Sequence, residues 1–148
     1  MSGMLKAGLV GFLVGVLFGL GVTLLLPYCT PCVAIPVGLG VGFLACLLDK
    51  PTVQTGVAAT GAKAGAIAGA GQLLGQLLGT LLNGLLVGPE GATELMRQFG
   101  LDLPAMSSRM YWVTQIAFNT SCGLTNVALA AGLGALGGLL WRQTMGER

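Results

Sequence analysis

The sequence contains no histidine, and only 8% of its 148 residues are charged, whereas a soluble domain has roughly 25%. Without imidazole, the chain lacks the side chain that most often serves as a general base at neutral pH and as a metal ligand. The net charge of +2 is too small to indicate nucleic-acid binding. These absences argue against most classes of enzyme, and we predict neither a cofactor nor a metal site.

Carboxylates are also missing from the apolar segments. The acidic residues all fall in predicted turns, loops or tails, at Asp49, Glu90, Glu94, Asp102 and Glu147. A proton relay or a proton-coupled transporter needs an ionisable group at membrane depth. The sequence therefore supplies no obvious carrier for proton-coupled transport.

Long apolar runs dominate what is present, and 54% of the residues are hydrophobic. A run of about 20 apolar residues suffices for a helix to cross the roughly 30 Å hydrocarbon core of a bilayer. We predict an all-α, polytopic membrane protein with four transmembrane helices, forming one domain over residues 1–148. The helices are expected over 5–26, 31–48, 53–87 (membrane part 64–87) and 110–141, with an outer loop over 88–109 that holds a short surface helix over 92–99.

Glycine is abundant, with 26 residues, and much of it recurs every fourth position. Residues four apart share a helix face, and glycine there lets two backbones approach closely, as in GxxxG packing. We call these glycines the glycine spines, and they predict Gly-zipper-type packing against another helix of this chain or against a second copy. They are Gly11, Gly15 and Gly19; Gly61, Gly65 and Gly69; Gly71, Gly75 and Gly79; and Gly134 and Gly138.

Polar side chains follow one face of each of the last two predicted crossings. They are Gln72, Gln76, Thr80 and Asn83 on the third helix, and Gln115, Asn119 and Asn126 on the fourth. Amides that face lipid leave donors and acceptors unpaired, at several kcal/mol each. Two interpretations stay open: a ladder of interhelical hydrogen bonds, each worth about 0.6 kcal/mol, or the lining of a narrow pore.

Cys29 and Cys32 form a CxxC motif at the start of the second helix. Such a pair can close a disulfide in an oxidising compartment or take part in thiol exchange. The layout resembles membrane thiol oxidases, which have four helices, inward termini and a CxxC in the first outer loop. Those enzymes carry a second cysteine pair in the second outer loop, whereas residues 88–109 contain no cysteine. Thiol redox chemistry is therefore kept only as an alternative.

Over roughly residues 5–87 the chain resembles small, uncharacterised bacterial membrane proteins with four helices. The resemblance lies in the Cys/Pro-containing first turn, the short charged turn at Asp49-Lys50 and the Gly/Ala-rich helices. It implies the topology and supplies no activity.

The distribution of basic residues predicts the orientation. Four crossings place both termini on one side, and five of the seven basic residues fall there: Lys6, Lys50, Lys63, Arg142 and Arg148. Only Arg97 and Arg109 fall on the other side. By the positive-inside rule, we expect both termini in the cytoplasm, and the resemblance implies a multi-pass protein of a bacterial inner membrane.

The sequence is rich in glycines and amides suited to helix packing and has few groups suited to catalysis. This combination suggests a non-catalytic function. The first hypothesis is a membrane protein that self-associates or serves as an accessory subunit of a membrane complex. Its expected partners are the lipid bilayer and further copies or other membrane subunits, with no nucleic acid. The alternatives are a small pore lined by the amides and a thiol redox protein using Cys29 and Cys32.

Overall fold

The computed structural model describes residues 2–25, 30–98, 100 and 107–145, with no account of the side chains of residues 25, 30–33, 54, 95 and 96. Within these residues helix is the only regular secondary structure, which confirms the all-α prediction, and no strand occurs among them. The helices are α1 (Gly3–Leu25), α2 (Thr30–Asp49), α3 (Gln54–Leu86), α4 (Gly88–Gln98) and α5 (Ser108–Met145).

Three of these helices are long and apolar enough to cross a membrane, by length and composition. The spans are Gly3–Leu24, Thr55–Leu86 and Ser108–Met145, while α2 contributes a shorter apolar helix over Ala34–Asp49. Large apolar side chains are exposed on the outside of the bundle, among them Leu17 and Leu85 at 72% and 76%. Exposed apolar surface of this extent suits a lipid environment and not water.

The predicted outer loop is helical in its first half, because α4 begins at Gly88 and not at residue 92. Gly88 has φ of +66°, which glycine adopts without the steric cost of a side chain, so the chain turns sharply after α3. Pro89 then occupies the first turn, where its missing N–H does no harm. Arg97 pairs with Glu94 at 3.1 Å on the exposed face of α4.

Helices α1 and α5 both pack against α3. Helix α1 runs antiparallel to α2, with Gly11 against Val41, and parallel to α3, with Gly71 against Phe12. Helix α5 runs antiparallel to α3, as the contact between Gly84 and the Trp112 ring indicates. Helix α3 therefore packs between α1 and α5, and α2 closes the other side of the bundle against the same two helices, since Gly42 of α2 lies against Gly134 of α5.

Small side chains fill the interior. One cluster joins α1, α2 and α3, through Ala7, Val37, Val41, Ala45, Ala64 and Ala68. A second cluster packs Trp141 against Cys46 and Val57. Alanine and valine cover little of the backbone, so the helices approach closely, and the stabilisation comes from van der Waals contact along the backbones.

A carboxylate from α2 caps the first turn of α1. Asp49, the last residue of α2, accepts hydrogen bonds from the backbone N–H groups of Gly3 at 2.5 Å and Met4 at 2.6 Å. The first N–H groups of a helix have no partner within the helix, so Asp49 acts as an N-cap supplied by another helix.

We expect Asp49→Ala to lower the free energy of unfolding by about 1–2 kcal/mol, the usual cost of losing an N-cap. The measurement is unfolding in mixed micelles of increasing SDS content. Glu94→Ala is the matched control, because it removes an exposed carboxylate whose ion pair is worth at most about 1 kcal/mol. Equal losses in the two variants would contradict the capping role.

Candidate functional site: the glycine and amide interior

All eleven glycines of the predicted spines occupy buried positions. Those of α1 lie against α3. A Cβ on Gly15 would stand 2.5 Å from the carbonyl oxygen of Ala68, and one on Gly19 would stand 2.6 Å from that of Gln72. Real Cβ atoms do not approach a backbone oxygen so closely, so no residue larger than glycine fits at these two positions without a shift of the helices.

The contact between α1 and α3 is reciprocal. A Cβ on Gly71 would overlap the carbonyl oxygen of Phe12, and one on Gly75 would overlap that of Val16. Gly79 continues the row against the side chain of Thr23, because a Cβ added to Gly79 would stand 2.8 Å from the Cβ of Thr23. Glycines of both helices thus remove bulk from the same interface, which brings two parallel backbones together.

The other face of α3 meets α5 in the same way. Gly61 and Gly134 oppose each other, so that a Cβ on either would overlap the carbonyl oxygen of the other. Gly65 faces the carbonyl oxygen of Ala130, and Gly138 lies 2.8 Å from that of Val57, measured from an added Cβ. The spines of α3 are therefore occupied on both sides by helices of the same chain.

Glycines of α2 that lie outside the predicted spines also line these contacts. A Cβ on Gly42 would overlap the carbonyl oxygen of Gly134, and one on Gly38 would lie 2.9 Å from that of Ala130. Gly137 faces the backbone of Leu39 in return. Helices α2, α3 and α5 thus converge on Gly134. The signal was available, because Gly38 and Gly42 are themselves four residues apart.

The predicted polar residues lie mostly in the interior. Gln72, Gln76 and Asn126 are 1–2% exposed, Thr80 and Asn119 are also buried, and Asn83 and Gln115 are half-buried. Sequence reasoning missed Thr23, which is 3% exposed on α1. The sequence indicates Thr23 only weakly, as a single hydroxyl on the face of α1 that carries Gly15 and Gly19.

The hydroxyl groups in this interior bond within their own helices. Thr23 donates to the carbonyl oxygen of Gly19 at 2.7 Å, and Thr80 donates to that of Gln76 at 2.8 Å. The Asn119 amide likewise donates to the Gln115 carbonyl at 2.9 Å and to its side-chain oxygen at 3.3 Å. A bond back to residue i−4 satisfies a polar side chain in a helix without help from a neighbour.

Two side chains differ from this pattern. The Oε1 atom of Gln76 and both polar atoms of the Asn126 amide have no hydrogen-bond partner within the described residues. Gly123 borders this region, since a Cβ there would stand 2.9 Å from Gln76 Oε1. A buried polar group without a partner costs about 1–3 kcal/mol. The packing of the surrounding helices therefore holds Asn126 inside against a free-energy cost.

The contrast between two asparagines of α5 gives a direct prediction. Asn119→Ala removes the two hydrogen bonds to Gln115, so we expect it to lower the free energy of unfolding by about 1 kcal/mol. Asn126→Ala removes no such bond and relieves a buried amide of its desolvation, so we expect a smaller loss. SDS-titrated unfolding of both variants measures the difference. A greater loss for Asn126→Ala would show that its amide has a partner in the folded protein.

The predicted redox pair lies outside the description: Cys29 is beyond the described residues, and the side chain of Cys32 is not described. Of the other cysteines, Cys46 is buried and donates from Sγ to the carbonyl oxygen of Val57 at 3.4 Å, and Cys122 is half-buried. Both are free thiols on different helices. In the part of the chain that is described, no three Cys, Asp or Glu side chains gather as metal ligands.

No protein-family model, curated protein or solved structure matches this chain.

Proposed function

We propose that this chain is a non-catalytic integral membrane protein with four crossings and with both termini in the cytoplasm of a bacterium. The alternating directions of α1, α2, α3 and α5 support four crossings, since each helix returns the chain to the opposite end. The 20 residues of α2 extend about 30 Å, which matches the hydrocarbon core. The orientation rests on the positive-inside rule applied to the basic residues at the end where α1 begins.

Glycine-zipper packing holds the four crossings together in this proposal. Lipid is as apolar as leucine, so the helices gain little from burying apolar surface and depend on close contact between backbones. The glycines that face Phe12, Val16, Ala130 and Gly134 supply that contact. Because these glycines are occupied within the chain, association with another chain must use a different surface.

The outer face of α5 is the surface that supports self-association best. It presents four small residues toward the outside of the bundle, Ser121, Thr125, Ala128 and Gly132, all exposed. Gly132 carries the proposal, because nothing lies within 4 Å of a Cβ placed on it and, unlike Gly21, it continues a row of exposed small residues. Small residues at this spacing favour the close approach of a second membrane helix. That helix belongs to a second copy or to a larger complex of which this chain is an accessory subunit.

The test is the mass of the protein in mild detergent. We expect an assembly larger than the monomer, and we expect Gly132→Leu to shift it toward the monomer by about tenfold in the dissociation constant. Gly21→Leu is the matched control, because Gly21 is another membrane glycine with nothing within 4 Å of an added Cβ, and it should leave the mass unchanged. A wild-type protein that is always monomeric and without partners would contradict the proposal.

A second candidate function is a narrow path for water or a small solute. The unpartnered Oε1 of Gln76 and amide of Asn126 favour it, since buried amides of this kind commonly bond to ordered water. The protein in liposomes should then speed osmotic shrinkage, and Gln76→Leu should abolish the effect. Thr125→Val, on the outer face of α5, should leave it intact. Liposomes that shrink at the protein-free rate would exclude this candidate.

A further inference from the structure

An open apolar groove lies between α1 and α2 on the outside of the bundle. Its volume is about 440 Å³. Its lining is almost wholly apolar and includes Val10, Val14 and Phe18 of α1 and Pro36, Val37 and Gly40 of α2. Val10 and Phe18 are 54% and 53% exposed, so the groove opens toward the space that lipid occupies in the proposed membrane placement.

Glycine creates the groove on the α2 side. Nothing lies within 4 Å of a Cβ built on Gly40, so the space above this residue is empty of protein. The helices are close just beyond it, because a Cβ on Gly11 would stand 2.6 Å from Val41 Cγ2. The groove therefore has a closed floor and an open side, which is the shape of a slot for a flexible hydrocarbon chain.

A basic side chain stands at one end of this groove. Lys6 is exposed and precedes Val10 by four residues, so it lies one turn beyond the Val10 end of the groove and about 40° around the axis of α1 from Val10. The distance from Lys6 to Phe18 along the axis is about 18 Å, close to the thickness of one leaflet, which is about 15 Å. Lysine at the membrane surface attracts anionic lipid headgroups.

Among the described residues, Asp49 is the acidic residue at this end of α1 and α2, and its single negative charge is outnumbered by the positive charges of Lys6 and Lys50. Its two carboxylate oxygens accept hydrogen bonds from the backbone N–H groups of Gly3 and Met4, and no salt bridge to Lys6 is found among the described residues. Lys50 follows directly and adds a second positive charge at the same end of the α1 and α2 pair.

We propose that the groove between α1 and α2 binds one anionic phospholipid, with an acyl chain along Val10, Val14 and Phe18 and its phosphate at Lys6. An apolar groove does not by itself distinguish one lipid from another, because every acyl chain makes similar contacts. The charge at Lys6 provides the selectivity. The proposal rests on the membrane placement above and is independent of the outer face of α5.

The test is the lipid that the purified protein retains, measured by native mass spectrometry after exchange into mixed micelles of phosphatidylglycerol and phosphatidylcholine with identical acyl chains. We expect one phosphatidylglycerol to be retained in preference to phosphatidylcholine. Lys6→Gln should weaken the retention of phosphatidylglycerol about fivefold, the factor that corresponds to one lysine near a membrane surface, and leave phosphatidylcholine unchanged. Lys63→Gln is the control, because Lys63 is also exposed but lies on α3.

The groove itself is tested by filling it. Gly40→Leu places a side chain where the acyl chain would lie without meeting any protein atom at Cβ, so we expect the retained lipid to be lost while the fold and the oligomer mass persist. Gly21→Leu should retain the lipid. Equal retention of the two lipids by the wild-type protein, or normal retention by Gly40→Leu, would overturn the proposal, and neither result bears on self-association.

Discussion

Gly134→Ala should lower the free energy of unfolding by about 3 kcal/mol, the upper part of the range for adding a methyl group to a packed interior. A methyl group at this position would overlap the carbonyl oxygen of Gly61 on α3 and lie 3.1 Å from the Cα of Gly65. Both obstacles are backbone, which cannot rotate away as a flexible side chain does. Relief requires α5 to move away from α3, and that movement loosens the contacts above and below Gly134.

The matched control is two residues away on the same helix. Gly132→Ala meets nothing within 4 Å, and alanine favours the helix over glycine by up to about 1 kcal/mol, so this variant should be unchanged or slightly more stable. Unfolding in micelles of increasing SDS content gives both values. Similar losses at positions 132 and 134 would show that α5 does not approach α3 as described.

The four long helices could be predicted from the apolar runs in the sequence. They fall within five residues of their expected ends, because each is a long, mostly apolar run with Pro, Gly or charge near its boundaries. Helix α4 begins four residues earlier than the expected start at residue 92. Gly88 and Pro89 together signal the end of a helix, and they equally signal the start of one, since Pro favours the first turn and Gly supplies the positive φ before it.

The burial of the spine glycines also followed from spacing, but their partners did not. A row of glycines identifies a face of close approach without saying which helix meets it. Only the three-dimensional arrangement places Gly71 against Phe12 on one side of α3 and Gly61 against Gly134 on the other. Gly38 and Gly42 of α2 are also four residues apart, and both lie against the backbone of α5. Gly40, between them in the sequence, faces outward, and an added Cβ there would meet nothing within 4 Å.

The amides illustrate why polar periodicity alone does not decide function. Gln72 is buried on α3 against Gly15 and Gly19 of α1, and Gln76 is buried beside Gly123 of α5, whereas Asn119 bonds within α5. The sequence predicted a polar face on each of the two helices and left open whether the amides form an interhelical ladder or line a pore, because spacing cannot distinguish a bond to a neighbouring helix from a bond to residue i−4. The stability and the water access of that interior thus depend on how firmly α1 covers it.

Gly15→Val tests that cover, and we expect it to lower the free energy of unfolding by about 4 kcal/mol. Overpacking a close interface costs up to about 3 kcal/mol, and uncovering an amide to lipid adds about 1 kcal/mol or more. A Cβ on Gly15 would stand 2.5 Å from the Ala68 carbonyl oxygen and 2.9 Å from the Gln72 backbone nitrogen. Both atoms belong to the backbone of α3, which cannot rotate away, and the Gln72 side chain lies next to this contact.

Displacement of α1 should also be visible at the amides. In a Gln76→Cys background, Gly15→Val should raise the rate of labelling by a small membrane-permeant thiol reagent at least tenfold, because residue 76 is 1% exposed while α1 is in place. Gly21→Val is the control on the same helix, since an added Cβ there meets nothing within 4 Å. A Gly15→Val variant that unfolds like the control and labels no faster would mean that α1 is not the element that seals the amides. Their burial would then depend on α5 alone, across the contact between Gln76 and Gly123.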